Sequence, residues 1–300
     1  MERKIKRVAV IGGANMDICG SPAGQLVPRD SNPGTVTVRP GGVGRNIAHG
    51  LRLLGVEVSL ITAVGGDVYG AGLLENCRSL GIDMSMSLVL PEQRSSTYLY
   101  VTDQWGEMQT AVADMEITER ITPRALAPVM AQINRADAVL IDCNLSAETL
   151  RYVAERCTAP LYADPVSTAK AGRLAGLLDR LTVLKPNAME AEALTGEADP
   201  ERAAKALLAA GVRRIFVTLS GDGMLAGSGD TLRHLPCYET RLVNTTGAGD
   251  AAMAALIWAE LQGFDLERTA RAALKAGAIA CAYAEANNPA LAELPKDKDL

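Results

Sequence analysis

Histidine is almost missing from this chain: two residues in 300, His49 and His234. A metal centre built on several histidines is excluded, and a catalytic imidazole has only those two candidates. Both read as structural, His49 one turn into a helix and His234 in a polar loop. Phenylalanine and tryptophan are equally scarce, two of each, so the core has to be aliphatic. No apolar run approaches the roughly eighteen residues that span a bilayer, and the basic start, residues 1–7, lacks the apolar stretch of an export signal. The six cysteines, at 19, 77, 143, 157, 237 and 281, never fall two to four positions apart. That excludes a zinc knuckle and a Cys-x-x-Cys pair, and the expectation is reduced thiols in a cytoplasmic protein. The net charge of −5 has the wrong sign for a nucleic acid or an anionic membrane as partner. What the chain has in surplus is glycine, 28 residues, and such a surplus marks loops that approach phosphate.

Short apolar runs alternate with helical patterns, which predicts an α/β fold with a mostly parallel sheet flanked by helices. Strands are expected at 8–11, 58–64, 138–142, 160–163, 182–184 and 215–219. Helices are expected at 44–54, 70–80, 146–156, 167–181, 188–195, 200–210, 248–262 and 265 to about 285. Period-two alternation at 34–39, 95–101 and 107–112 breaks the rhythm. These segments predict a small β-sheet lid, inserted at about 14–40 and 94–114 into a single domain over 1–300.

Four clusters carry candidate chemistry. The first is Gly41-Gly42-Val43-Gly44-Arg45-Asn46 ahead of a helix, where glycines admit a polar ligand and Asn46 offers donor and acceptor to a vicinal diol. A tight turn explains the same glycines. Asp17, with Asn15 beside it, is a second sugar candidate, because a carboxylate accepts two hydroxyl hydrogen bonds; a helix cap or a solvated loop acid is the plain alternative. The second cluster, Asn244-Thr245-Thr246-Gly247-Ala248-Gly249-Asp250, makes a nest of N–H donors for an anion, with Asp250 as a base. First-turn capping is the competing explanation for that Asp. The third places Asn187 and Glu190 on one face of a helix start, where Glu190 suits a hydrated Mg²⁺ and a capping box fits equally well. The fourth, Thr218-Leu219-Ser220-Gly221-Asp222-Gly223, either wraps a nucleotide or reverses the chain.

Taken together, the order and spacing resemble the PfkB carbohydrate kinase family, to which ribokinase belongs. One signature matches from Gly41 through Asn46, Ala48 and Gly55 to Gly65; the other matches from Asn244 to Ala255. Within the family, Asp30-Ser31-Asn32-Pro33-Gly34, Asp142-Cys143-Asn144, Asp164-Pro165-Val166-Ser167 and Asn287-Asn288-Pro289 are similar to the pseudouridine-phosphorylating branch. The resemblance implies a ribokinase-like fold, ATP with Mg²⁺, and transfer to the ribose 5′-hydroxyl of pseudouridine. It implies Asp250 as the base and the Gly247, Ala248 and Gly249 amides as the anion hole. Asp17, Asn15, Gly42 and Asn46 match ribose positions, and Ser31, Asn32, Thr97, Asp114, Asn144 and Lys170 are candidates for the base pocket. Asn187, Thr218, Ser220, Gly221, Gly223 and Gly277 match the ATP region, with Glu190 at the Mg²⁺ through water. Asn244 replaces an Asp that helps hold a monovalent cation in ribokinase, which weakens the case for K⁺; Thr246 and the Asn287–Asn288 loop remain as oxygen donors. Lids of this family also serve as dimer surfaces, which implies a homodimer through the lid. The alternatives are another sugar or nucleoside kinase of the family, acting on ribose, adenosine or inosine, and a non-catalytic nucleoside-binding regulator.

Overall fold

A computed structural model describes residues 6–296; the first part of the basic start, 1–5, lies outside them. The strand Arg7–Ile11 (β1) is buried from its second residue onward. Alternate side chains of a strand point to opposite faces, so Val8 and Val10 enter one apolar layer and Ala9 and Ile11 the other. A continuous apolar run is what such double coverage requires. The chain continues through Asn15–Pro22 (β2), Gly34–Gly41 (β3), the helix Val43–Leu53 (α1), Glu57–Ile61 (β4), Ala63–Gly65 (β5), the helix Val68–Ser79 (α2) and Leu88–Leu90 (β6). Thr97–Thr102 (β7) and Met108–Asp114 (β8) form a hairpin, followed by two single turns, Pro123–Leu126 (α3) and Met130–Ile133 (α4). The central body comprises Ala138–Asp142 (β9), Ala147–Arg156 (α5), Leu161–Asp164 (β10), Thr168–Ala171 (α6), Val183–Leu184 (β11), Ala188–Thr195 (α7), Pro200–Ala209 (α8) and Arg214–Thr218 (β12). Met224–Ser228 (β13), Thr231–Leu235 (β14), Ala248–Leu261 (α9) and Leu266–Cys281 (α10) complete the order.

Eight strands form the large sheet in the order β14-β13-β12-β11-β10-β9-β1-β4. From β4 to β12 all pairs are parallel, and β12, β13 and β14 close the edge as an antiparallel meander. The expected ribokinase-like, mostly parallel sheet is therefore present. Because β1 lies between β4 and β9, the chain reverses direction across the sheet there, and the carboxyl ends of β1 and β9 make a switch-point crevice. Residues of α1, α2, α9 and α10 belong to one apolar layer, and residues of α5, α7 and α8 to the other. The core is aliphatic as expected; Phe216 is the largest side chain fully buried in it.

The smaller sheet runs β3-β2-β7-β8. Its register puts Asp17, Arg39 and Tyr98 in one row, and Ile18, Val38, Leu99 and Val112 in the next. Rows alternate between faces, so one face is polar and carries Asp17, while the other is apolar. The apolar face is open: Val36, Val38, Leu99 and Val112 are all exposed.

Four details differ from expectation. The single helix expected at 167–181 is α6 followed by two 3₁₀ turns, Gly172–Leu174 and Leu178–Arg180. Arg173 interrupts it by donating to the carbonyls of Cys143, Asn144 and Leu145 (3.0, 3.2 and 2.9 Å). The strand at 58–64 divides after Ile61: β4 stays in the large sheet while β5 leaves to pair with β6. The last helix stops at Cys281, short of 285. The strands β13 and β14 lie where no strand is expected, and His234, expected in a polar loop, is part of β14.

Candidate active site

Two helix starts meet at the switch point. The first, α1, opens behind Gly42, whose φ of 97° suits glycine and whose Cβ would overlap Gly13 and Ala14. The second, α9, opens behind Gly247 (φ 83°), where a Cβ would overlap the Ala286 carbonyl. Neither start carries a side-chain cap. The helices cross closely at Gly50: a Cβ there would lie 2.8 Å from that of Ala254. Asn46 and Asp250 each sit one turn earlier on the same faces. They meet as the contact predicts, Asn46 Nδ2 donating to Asp250 Oδ2 at 2.9 Å.

The surroundings of Asp250 are strongly charged. Burial and the neighbouring Asp164 push its carboxyl up to about 7, while the Asn46 bond and Lys185 pull the other way. Lys185 and Asp164 form a buried pair at 3.1 Å. The Lys185 Nζ also lies 3.5 Å from where Gly249 would carry a Cβ, beside the open start of α9. The Ala248 N–H is spent on the Thr245 carbonyl (3.2 Å). The Gly249 N–H has no partner among the described residues, so of the expected three-amide nest the Ala248 member is engaged locally. At the end of β9, Asp142 is fully buried and accepts from the Gly13 and Asn144 amides (2.8 and 2.9 Å). Burial raises its carboxyl to about 6 against the pull of those bonds.

On the sugar side, Asp17 is held by Asn15, whose Nδ2 donates at 2.6 Å, and Gly41 leaves room for its carboxylate. Burial raises the Asp17 carboxyl, opposed by Asn15 and Arg45. Asn15, Asp17, Gly42 and Asn46 are thus brought together. The acceptor expected of Asn46 is occupied, because Arg45 donates to its Oδ1 at 3.0 Å. Lys170 donates to Asn144 Oδ1 at 2.7 Å, and the Asn144 amide packs on Gly13 at the same crevice. Thr97 pairs with Met16 and Asp114 in the smaller sheet. Ser31 lies in the exposed segment between β2 and β3, and Asn32 is spent there on Val27 and Asp30.

On the nucleotide side, Asn187 and Glu190 close a reciprocal capping box at α7. One oxygen of Glu190 accepts the Asn187 amide (2.9 Å), and burial raises its carboxyl, with Asp164 adding to the rise. Thr218 bridges to Asn187, Ser220 takes a left-handed φ of 53°, and Gly223 (φ 98°) passes against the Leu235 carbonyl. Gly221 borders open space, and Gly277 of α10 faces the Ala248 carbonyl. Three of the oxygens expected for a monovalent cation accept hydrogen bonds within the protein. Asn244 Oδ1 accepts from Thr246 N (3.0 Å), Asn287 Oδ1 from Arg45 (3.2 Å) and Asn288 Oδ1 from Ala290 N (3.0 Å). Thr246 is exposed.

His49 is lowered to about 4 by burial and Arg45, which makes it a neutral packing residue, and His234 bonds the Asp222 carbonyl at 2.6 Å. The residues whose roles were missed are Asp142, Lys185, Gly50 and Arg45. Gly50 had a signal, since a glycine inside a helix costs about 1 kcal/mol and needs a reason such as close packing. A concavity of about 640 Å³ at the amino ends of β1 and β4, lined by Arg7, Glu57 and Arg135, holds none of these residues.

The profile of the pfkB family carbohydrate kinases matches residues 5–293. The chain is 38% identical to the pseudouridine kinase of Escherichia coli over 95% of its length and 93% of that protein's. It is 37% identical to an uncharacterised sugar kinase of the same organism, over 94% of this chain and 80% of that one. The solved carbohydrate kinase from Agrobacterium tumefaciens superposes with a TM-score of 0.85 at 31% identity, covering 96% of both chains.

Proposed function

The chain belongs to the pfkB family of carbohydrate kinases, and from that premise we propose that it transfers the γ-phosphoryl of ATP to the ribose 5′-hydroxyl of pseudouridine. It is a phosphotransferase with an alcohol acceptor, of the sugar or nucleoside kinase type. The observation that carries the finer reading is the Asn46–Asp250 bond beside the uncapped start of α9. A base and an anion-binding helix start are there within one turn of each other.

In this reading Asp250 accepts the proton of the 5′-hydroxyl as its oxygen attacks the γ-phosphorus and ADP departs. A carboxyl raised to about 7 is matched to that task near neutral pH. The Gly249 amide, the start of α9 and Lys185 face the charge that develops on the transferring group, where positioning and electrostatics supply most of the catalysis. Asp17, held by Asn15, takes the ribose hydroxyls. Asn144, fixed by Lys170, stands at the edge where the nucleobase would lie. Thr218, Ser220, Gly221 and Gly223 border the nucleotide. The acidic excess of Asp142, Asp164, Glu190 and Asp250 over Lys185 fits a divalent cation. Among the described residues no three such side chains converge on one point, so Mg²⁺ would keep its waters, with Glu190 in its outer shell. The ion would neutralise phosphate charge. With Asn244 Oδ1 engaged by Thr246 N, the Asn244–Thr246 region offers K⁺ the threonine hydroxyls and backbone carbonyls.

The smaller sheet is read as a lid over the sugar, its polar face inward. Its exposed apolar face, with Val36, Val38, Leu99 and Val112, is read as the contact with a second copy of the chain. Sedimentation is expected to show a dimer; a monomer at micromolar concentration overturns that contact. Among the described residues no helix is long and apolar enough to cross a membrane, and the cysteines are free, in keeping with a cytoplasmic setting.

A second reading, another acceptor of the same family, is favoured by the nearly equal identity to the uncharacterised sugar kinase. The deciding experiment supplies ATP and Mg²⁺ with pseudouridine, uridine, inosine, adenosine and ribose. Pseudouridine is expected to give the highest kcat/KM and a 5′-phosphate. A hydrogen bond to its extra ring N–H is worth up to about 10⁴-fold over uridine. Faster turnover of ribose or another nucleoside would replace it as substrate.

A further inference from the structure

Arg45 lies on the first turn of α1 with only 6% of its surface exposed. Its NH1 donates to Asn46 Oδ1 (3.0 Å) and Asn287 Oδ1 (3.2 Å), and its NH2 to Asn76 Oδ1 (2.7 Å). Among the described residues its Nε has no partner, and none of the ion pairs found there includes it. Its hydrogen bonds therefore all go to neutral amides, while the carboxylates of Asp17, Asp250 and Glu285 act on its charge through space. A guanidinium has five donors and no acceptor, so each amide that meets it must turn its oxygen inward. For Asn46 this leaves only the nitrogen for the cleft, and Nδ2 donates to Asp250 Oδ2 at 2.9 Å. Asn287, fixed in the same way, returns its own Nδ2 to the Asn46 carbonyl at 3.0 Å.

We infer that Arg45 is a positioning residue of the phosphoryl transfer: by holding the Asn46 oxygen it keeps an N–H, never a lone pair, against Asp250. The inference rests on Asp250 being the base. Burying a guanidinium with a donor left over is costly, and an apolar side chain of similar length would pack there at less cost; orienting Asn46 is what the arginine adds. Without it the Asn46 amide is free to flip, and its oxygen would lie against the carboxylate comfortably only when Asp250 is protonated. The other charged groups facing Asp250 are Asp142 at the end of β9, Asp164 at the end of β10 and Lys185 after β11. A change at Arg45 leaves these three in place.

The test is the pH dependence of kcat for Arg45→Met, alone and in an Asn46→Ala background. We expect a loss of about tenfold at pH 7, the worth of one hydrogen bond to a charged group. The loss should shrink toward pH 9 as Asp250 ionises regardless, and should nearly vanish in the Asn46→Ala background. A loss of equal factor at every pH, or one undiminished without Asn46, overturns the inference, because a merely structural arginine would behave that way. Should Arg45→Met fail to fold, Asn46→Asp keeps the arginine paired and places an oxygen permanently against Asp250. The acidic limb must then move up, and an unmoved limb refutes the role. Asp250→Asn is run in parallel. Wild-type turnover in that variant would remove the base and this inference with it, whereas a lost turnover beside a pH-independent Arg45→Met defect removes the arginine's role alone.

Discussion

Among the described residues, the α-helices of eight residues or more start in two ways. On the outside of the sheet, α2, α5, α8 and α10 are closed by the side chains of Asp67, Ser146, Asp199 and Asp265, and α7 by the Asn187–Glu190 box. At the switch point, α1 and α9 open behind left-handed glycines with no side-chain cap at all. A cap contributes about 1 kcal/mol, and the two longer helices that lack one both start at the proposed site. In the proposed mechanism, closed starts serve the fold and open starts serve the chemistry.

Three substitutions sharpen that contrast. The largest effect is expected at the open start of α9. Asp250→Asn should lower kcat by roughly 10²–10⁴-fold while nucleoside binding, measured by calorimetry, is largely kept. The same variant should be more stable than the parent at pH 8. The folded carboxyl, at about 7, binds its proton more tightly than the ordinary value of 3.8. Between those values the folded state holds the extra proton, and stability falls as pH rises through the window. Melting curves at pH 5 and pH 8 check this; a variant less stable at pH 8 contradicts it. An intermediate effect belongs to the helix crossing. Gly50→Val forces α1 from α9 at Ala254 and should cost about 1–3 kcal/mol of overpacking. It should also reduce kcat by separating Asn46 from Asp250; full activity would show that the crossing does not set that contact. The smallest effect is at a closed start. Asp199→Ala should lose about 1 kcal/mol in denaturant titration, with kcat unchanged.

Much of this division was legible in the chain itself. Gly41-Gly42 and Gly247-Ala248-Gly249 announce helix starts that approach a ligand, because glycine tolerates the positive φ and the close backbone that such starts need. The parallel sheet was legible in the apolar runs 8–11 of β1 and 138–141 of β9, and the smaller sheet in the alternation of β3, β7 and β8. What stayed hidden depends on topology. Arg45 reaches Asn287 across 242 positions, and Asp142, Asp164 and Lys185 converge only because their strands end side by side. The unbroken helix expected at 167–181 failed for a similar reason, since Arg173 is drawn to three carbonyls after β9 that no local pattern reveals. Asn187 and Glu190 could be read locally as cap or metal site. The cap is formed, and one Glu190 oxygen is left over from it.

The claim at the centre is that Asp250, raised by its buried acidic surroundings, is the base at the open start of α9. The pH dependence of kcat measures it most directly. The parent enzyme should lose activity through a single ionisation near pH 7 as the medium is acidified, and the residual rate of Asp250→Asn should show no such limb. An acidic limb near pH 4, or one that survives unchanged in Asp250→Asn, would contradict the account.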